Sequence, residues 1–206
     1  METPKWKQHV ASAWDLIKFA SIALAIVIPL RLYIAQPFIV SGSSMFPTFH
    51  DGQYLIVDEL SYHLGTPKRG DVVIFRYPKQ PSRFFIKRII GLPNEKIEVK
   101  DDIKNITVTI INTKNPKGFT LSERYINPRF TKGDQCEITQ DQEIATDRTF
   151  TTGDGEYFVM GDNRDCSSDS RIWGTVPSKL LVGRAYLRLL PFNTISYLPG
   201  AYIEDK

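Results

Sequence analysis

The chain has 206 residues, a formal net charge of +3 at pH 7 and 24% charged residues. This length suggests one globular domain with an additional segment, and so small a net charge gives no indication of a nucleic-acid partner. His9, His50 and His63 are scattered without metal-ligand spacing, so we predict neither a metal site nor a cofactor.

The first predicted element is a mostly apolar run over residues 14–35, in which residues 19–30 carry no charge. A bilayer-spanning helix needs about 20 residues, so Lys18 and Arg31 would lie near the two interfaces and extend their charged groups to water. A cleaved signal peptide, a buried core helix and an uncleaved membrane anchor are the three interpretations. Because no clear cleavage site follows the run, we favour a single transmembrane helix.

The charges around this run predict its orientation. Lys5, Lys7 and Lys18 favour a cytoplasmic N-terminus, so residues 1–13 form a cytoplasmic tail in this interpretation. The long segment after residue 35 would then lie on the outer side of the membrane, because long segments translocate largely regardless of their charge.

Beyond residue 35 the chain consists of short runs rich in Val, Ile, Phe and Tyr, separated by Gly, Pro, Asn and Asp. Such runs are typical of strands. They predict a mainly β protein, with an antiparallel folded-sheet or barrel-like domain over residues 36–100 and 156–206. Residues 101–155 are more polar and are predicted to be a smaller β-rich insertion. The predicted strands are Gln53–Glu59, Asp71–Tyr77, Arg83–Gly91, Lys96–Lys100, Ile103–Asn112, Glu156–Met160 and Leu180–Leu190.

Two cysteines, Cys136 and Cys166, fall in the second half of the chain. In an oxidising compartment they could form a disulfide, but their spacing is equally compatible with two free thiols. The sequence leaves both alternatives open.

Four segments carry residues suited to chemistry, and they follow the apolar run in a fixed order. They are Ser44-Met45-Phe46-Pro47-Thr48, Arg69–Phe75, Ile86–Pro93 and Gly161–Arg171. Together they resemble the four sequence motifs of the type I signal peptidases, which are membrane-anchored serine proteases. The resemblance implies that Ser44 is the nucleophile and Lys87 its general base. It also implies that the Ser167 hydroxyl orients Lys87, and that Asp169 and Arg171 form an ion pair with Arg88 as a further partner.

The residues themselves are compatible with a serine–lysine pair. Serine needs an adjacent base, and none of the four motifs contains a histidine. Lysine acts as a base only when neutral, so its usual pKa of about 10.4 would have to fall through burial. In a strand, Lys87 shares a face with Phe85 and Ile89, which provides apolar surroundings, whereas Arg88 points to the opposite face.

The resemblance also implies an oxyanion site and substrate pockets. The Ser44 backbone N–H is the expected first donor to the oxyanion. Where some members carry a serine two positions before the nucleophile, this chain has Gly42, whose region would supply a backbone donor instead. Pockets for small residues at substrate positions −1 and −3 would be lined by Phe38, Val40, Met45, Leu55, Ile74 and Ile86.

We therefore expect a membrane-anchored endopeptidase that removes Ala-x-Ala-type signal peptides from exported preproteins. Its partners would be those signal peptides and the lipid bilayer, on the outer side of a bacterial inner membrane. Two alternatives remain. One is a Ser–Lys processing peptidase of a conjugation system, and the other is a membrane-tethered β domain that binds extended peptides without catalysis.

Overall fold

The computed structural model describes residues 5–29, 36–101, 106–126 and 147–201. Helix α1 spans Lys5–Pro29, α2 spans Leu60–Leu64 and α3 spans Ser170–Trp173. The strands are β1 Gln36–Ile39, β2 Tyr54–Asp58, β3 Val72–Tyr77, β4 Gln80–Gly91, β5 Lys96–Asp101, β6 Ile106–Ile111, β7 Phe119–Thr120, β8 Arg148–Thr151, β9 Glu156–Met160, β10 Val176–Pro177, β11 Leu181–Leu190 and β12 Ser196–Tyr197.

Eight of these strands form one antiparallel sheet, in the order β1-β2-β11-β3-β4-β9-β10, with β12 paired to β11. Strand β3 lies in the interior of this sheet, and its residues Val72, Val73, Ile74 and Phe75 are all buried. A strand covered on both faces favours a continuous apolar run over an alternating one. This explains why the Val-Val-Ile-Phe run of the sequence occupies the interior position.

The other four strands form a second antiparallel sheet, in the order β7-β6-β5-β8. Its inner face alternates along each strand, so that Ile97 and Val99 on β5 and Val108 and Ile110 on β6 are buried. These side chains pack with residues of β9 in one apolar cluster that joins the two sheets. Strand β5, whose residues 96–100 fall within the predicted range 36–100, pairs with β6 and β8 of this second sheet.

The mainly β, antiparallel fold predicted from the sequence is confirmed, and the strand Glu156–Met160 has the predicted bounds. The short elements β1 and α2 were not predicted. Strand β1 has only four residues including Pro37, so its length gives almost no period-2 signal.

Helix α1 covers most of the predicted membrane anchor. Within the described parts of the chain, none of the helices has both the length and the apolar character needed to cross a lipid bilayer. The predicted anchor continues into residues 30–35, which lie outside the described residues.

Candidate active site

Ser44 lies in a tight turn that follows β1. The backbone N–H of Phe46 donates to the Ser43 carbonyl at 3.0 Å, and that of Phe49 donates to the Met45 carbonyl at 2.9 Å. Met45 and Phe49 are fully buried in the apolar cluster under β1, β2 and β3. The turn is therefore held both by its own backbone hydrogen bonds and by two side chains that are buried in the core.

Lys87 lies in the middle of β4, opposite Val73 of β3, and only 4% of its surface is exposed. Its Nζ donates to Ser44 Oγ at 2.7 Å and to the Ile86 carbonyl at 2.8 Å. The Phe85 ring centroid lies 5.3 Å from Nζ. The fold thus brings a serine and a buried lysine, 43 residues apart in sequence, into direct hydrogen-bond contact.

Arg88 points to the other side of β4, where it is completely buried. Its Nε and one terminal nitrogen donate to the two carboxylate oxygens of Asp162, at 2.8 and 2.5 Å. The same carboxylate accepts a hydrogen bond from the Thr48 hydroxyl at 2.5 Å. Asp162 therefore joins the strand that carries Lys87 to the turn that carries Ser44.

Asp169 and Arg171 form the ion pair that the resemblance implies. The Arg171 guanidinium donates to both Asp169 oxygens at 2.8 Å, and both side chains are fully buried. Burial by itself raises the pKa of Asp169, but the charge and hydrogen bonds of Arg171 and the Gly161 N–H together hold that pKa below its usual value. Arg88, which the resemblance places beside this pair, instead pairs with Asp162.

The loop over residues 161–171 also holds the nucleophile turn. The Asn163 backbone N–H donates to the Ser44 carbonyl at 3.0 Å, and its side-chain amide donates to the Ser43 carbonyl at 3.2 Å. Ser167 is fully buried beside Gly161. A contact between the Ser167 hydroxyl and Lys87 stays a prediction.

The Gly42 N–H is already engaged, because it donates to Asp51 Oδ1 at 2.7 Å. Gly42 has a φ of 87°, a conformation that glycine adopts without steric cost. The Gly42 amide is therefore not an available oxyanion donor in this conformation. Of the two donors predicted from the sequence, the Ser44 N–H remains.

A groove of about 350 Å³ runs beside Ser44 and Lys87. Five of the six predicted pocket residues line it, and Met45 does not: it is buried beneath the turn. The groove also contains residues that the sequence reasoning did not assign to it, including Tyr77, Arg83 and Ser168. The five predicted residues are Phe38, Val40, Leu55, Ile74 and Ile86.

Cys166 also lines the groove and is disulfide-bonded. The only other cysteine in the sequence, Cys136, lies outside the described residues. Among the residues that the structure describes, no group of His, Cys, Asp and Glu side chains is arranged to hold a metal ion.

Sequence reasoning missed several supporting residues. Asp162 and Asn163 lie inside a motif that was singled out, so their position in it was a usable signal, although nothing local showed what they contact. Thr48 likewise belongs to the Ser44 motif. No pattern in the sequence pointed to Glu123 or Tyr125, which contact the same network.

Comparison with known proteins gives the family. The family model for signal peptidase, peptidase S26, matches residues 13–190. A probable signal peptidase I-1 from Synechocystis sp. is 32% identical over 193 residues, covering 88% of this chain and 87% of that protein. The signal peptidase I of Bacillus caldolyticus is 34% identical over 178 residues, covering 85% and 91%. A crystal structure of a signal peptidase I from Enterococcus faecalis V583 is 31% identical, with a TM-score of 0.41, and covers 58% of this chain and 96% of that one. The chain therefore belongs to the signal peptidase family, peptidase S26, and is a type I signal peptidase, a protease that cleaves signal peptides.

Proposed function

We propose that Ser44 is the nucleophile and Lys87 the general base of this protease. The observation that carries the proposal is the 2.7 Å contact between Lys87 Nζ and Ser44 Oγ, formed by two segments far apart in the sequence. Among the described residues, the only hydrogen bond of the Ser44 hydroxyl is the one to Lys87. The lysine is therefore the side chain positioned to accept its proton.

The proposed chemistry requires Lys87 to be neutral. A neutral amine has two N–H groups and one lone pair, so it can donate to the Ile86 carbonyl while the lone pair accepts the Ser44 proton. Burial disfavours the charged form of lysine by up to several pKa units. The Phe85 ring opposes this effect, because a desolvated cation–π contact stabilises the ammonium by about 2 kcal/mol, which corresponds to roughly 1.5 pKa units.

Two buried carboxylates of the neighbouring loop lie in ion pairs with arginines. Asp162 is paired with Arg88, and Asp169 with Arg171, so each buried acid already has its own cation. We therefore rest the expected neutral state of Lys87 on its burial.

The bond changes follow from this arrangement. Ser44 Oγ attacks the substrate carbonyl as its proton passes to Lys87, and the Ser44 N–H stabilises the oxyanion that forms. Lys87 then gives its proton to the leaving amine as the peptide bond breaks. A water molecule, deprotonated in turn by Lys87, hydrolyses the acyl-enzyme and regenerates Ser44.

We propose that the substrate adds as an extended strand along the groove. Pairing of β4 with β9 begins at Arg88, so the edge of residues 84–87 that faces away from β3 carries no strand from the described part of the chain. A peptide on that edge would present alternate side chains to pockets on one face. The apolar lining of the groove, with Val40, Leu55 and Ile74, supports small side chains at positions −1 and −3.

We also propose that α1 is the membrane anchor and that cleavage occurs at the outer surface of a bacterial inner membrane. The sequence supports this through the uncharged stretch over residues 19–30 and the lysines that precede it. The catalytic domain adds exposed apolar side chains beside the groove, such as Ile39, which is 58% exposed on β1. The helix itself carries exposed apolar side chains at Trp14, Leu16, Ile17, Phe19, Ile22, Leu24 and Val27.

Substitutions at the pair test the catalytic assignment. Ser44→Ala and Lys87→Ala should each abolish cleavage of a preprotein, and Lys87→Arg should be inactive as well because a guanidinium is not deprotonated. Ser82→Ala on β4 and Lys96→Arg on β5 are matched controls, since both residues are exposed and neither lines the groove. Substantial turnover by Lys87→Arg would contradict the role of Lys87 as base.

The pH profile provides a second test of the same assignment. Activity should fall on the acid side as Lys87 becomes protonated, with an apparent pKa well below that of free lysine. A profile that shows activity only near pH 10 would contradict the desolvation argument. Preprotein cleavage that survives in Ser44→Ala would favour a different nucleophile. Peptide binding without any cleavage would favour the non-catalytic alternative.

The position of the active site close to the membrane can be tested separately. Ten residues separate Ile34 from Ser44, and an extended chain covers about 3.3–3.6 Å per residue, so Ser44 lies at most roughly 35 Å from the end of the anchor. A flexible linker of about 20 residues between Ile34 and Pro37 should reduce cleavage of a membrane-inserted preprotein and spare a short soluble peptide. Equal cleavage of both substrates would remove membrane proximity from the mechanism.

A further inference from the structure

The segment over residues 121–126, here called the strap, lies in the inserted region and belongs to none of the four motifs. Its first residue is fixed to the smaller sheet, because the Leu121 N–H donates to the Val108 carbonyl of β6 at 2.9 Å. Leu121 also packs against the apolar cluster that joins the two sheets. At its other end the Ile126 N–H donates to the Glu123 carbonyl at 3.2 Å and closes a turn.

Glu123 forms a buried ion pair with Arg164. One carboxylate oxygen accepts from Arg164 Nη1 at 2.7 Å, and the other accepts from Arg164 Nη2. The side chains are only 5% and 6% exposed. A bidentate pair of this kind fixes the guanidinium in both position and orientation.

Tyr125 connects the same carboxylate to Arg88. Its hydroxyl donates to Glu123 Oε1 at 2.7 Å, and its ring covers the Arg88 guanidinium with the central carbon 3.8 Å from the ring centroid. Arg88 already uses its edge to bind Asp162 and the Gly70 carbonyl. The strap therefore holds the face of the guanidinium that those hydrogen bonds leave open.

The charges of this buried cluster match one to one. Arg88 pairs with Asp162 and Arg171 pairs with Asp169, so Arg164 would lack a carboxylate if Glu123 were absent. Glu123 is the only one of the three acids that comes from outside the four motifs. An unpaired buried cation is strongly unfavourable, so the loop that carries Arg164 would have to move toward water without Glu123.

That loop is the one that holds the nucleophile turn. Arg164 Nε donates to the Gly161 carbonyl at 3.0 Å, and its own carbonyl accepts from Arg171 Nη2 at 2.7 Å. The backbone N–H of Asn163, the residue just before Arg164, donates to the Ser44 carbonyl. A shift of Arg164 would therefore be transmitted through Asn163 to Ser44, and a shift of Arg88 would move the neighbouring Lys87 on β4.

We propose that Glu123 and Tyr125 are positioning residues for the proteolytic reaction, which hold Arg164 and Arg88 so that Ser44 and Lys87 stay in contact. This inference rests on the proposed role of Ser44 and Lys87. Neither strap residue lines the groove, so the effect should fall on turnover and not on substrate binding. A displacement of about 1 Å at reacting groups can reduce the rate about 100-fold.

The test compares kcat and KM for a soluble signal-peptide substrate, using the full chain in detergent. Glu123→Gln should lower kcat by about 10–100-fold and leave KM within about twofold of the wild type. Glu98→Gln is the matched control, because Glu98 forms an exposed ion pair with Lys96 on the same smaller sheet. Tyr125→Phe keeps the ring on Arg88 and removes only the hydroxyl, so kcat should fall by about twofold to fivefold.

A double variant separates positioning through Arg164 from a general loss of structure. Because Glu123 and Arg164 act as one unit, Glu123→Gln combined with Arg164→Gln should have about the same kcat as Arg164→Gln alone. The proposal would be overturned if the kcat losses of the two single variants multiplied in the double variant. It would also be overturned by an unchanged kcat in Glu123→Gln, or by a rise in KM that accounts for the whole loss of kcat/KM. If Glu123→Gln does not fold, a wild-type kcat in Tyr125→Phe overturns it instead. Residual cleavage in Ser44→Ala would refute the proposed function itself, so the two failures are distinguishable.

Discussion

Gly161 provides a sharp steric test of the active-site geometry. It follows β9 at the start of the loop over residues 161–171, and a methyl group added there has no free space. A Cβ would lie 2.2 Å from Ser167 Oγ, 2.4 Å from the Ser44 carbonyl oxygen and 2.5 Å from Ser167 Cβ. Gly161→Ala therefore forces the loop, the nucleophile turn or both to move.

The size of the effect follows from these distances. Non-bonded carbon and oxygen atoms in well-packed interiors stay more than about 3 Å apart, so Ser44 or Ser167 must move by roughly 1 Å. Overpacking of this kind typically costs about 1–3 kcal/mol of unfolding free energy. For a chain of this size that corresponds to a Tm lower by roughly 2–12 °C. A displacement of about 1 Å at the nucleophile can also reduce kcat about 100-fold.

Thermal unfolding and cleavage of a soluble peptide measure the two effects on the same preparation. Gly153→Ala is the control, because a Cβ there would lie 3.3 Å from the end of the Glu156 side chain, which would need to move by only a few tenths of an ångström. We expect this control to keep the wild-type kcat. A wild-type kcat in Gly161→Ala, whatever its Tm, would refute the inference that Gly161 packs directly against the nucleophile turn.

Three other predictions concern charged residues around the site. Asp162→Asn leaves the fully buried Arg88 without its counter-charge. Denaturant titration should therefore show a loss of about 3–5 kcal/mol in unfolding free energy. A loss under about 1 kcal/mol would mean that the pair contributes little to stability. The pKa of Asp169 is below its usual value, because burial, which raises it, is outweighed by Arg171 and hydrogen bonds. The stabilising contribution of the Asp169 carboxylate is therefore complete above the unfolded-state pKa of about 3.9 and is lost as the pH falls through the lower folded-state pKa. Asp169→Asn should flatten the curve of unfolding free energy against pH over this acidic range. Arg188→Met removes hydrogen bonds to the Thr194 carbonyl at 2.8 Å and the Thr48 carbonyl at 2.9 Å. This change should lower the unfolding free energy by about 1–3 kcal/mol. An unchanged Tm would show that water replaces the guanidinium without cost.

The sequence was most informative where local chemistry decides the structure. Alternating and continuous apolar runs predicted most of the long strands, since the period of a strand is a property of neighbouring residues. The motif around Ser44 and the strand that carries Lys87 are both recognisable in the sequence alone, together with the apolar neighbours of the lysine. The same alternation correctly placed Lys87 and Arg88 on opposite faces of β4.

Contacts between distant segments were decided only by the tertiary structure. Whether Ser44 meets Lys87 depends on how the turn after β1 and the centre of β4 come together, and no local pattern contains that distance. The preference of Arg88 for Asp162, the use of the Gly42 amide by Asp51 and the burial of Met45 have the same origin. So does the contact of Glu123 and Tyr125 with the arginines behind the site. Strand pairing and loop packing select one partner among several chemically equivalent groups, because a buried charge or donor is stable only beside the group that the fold brings within reach.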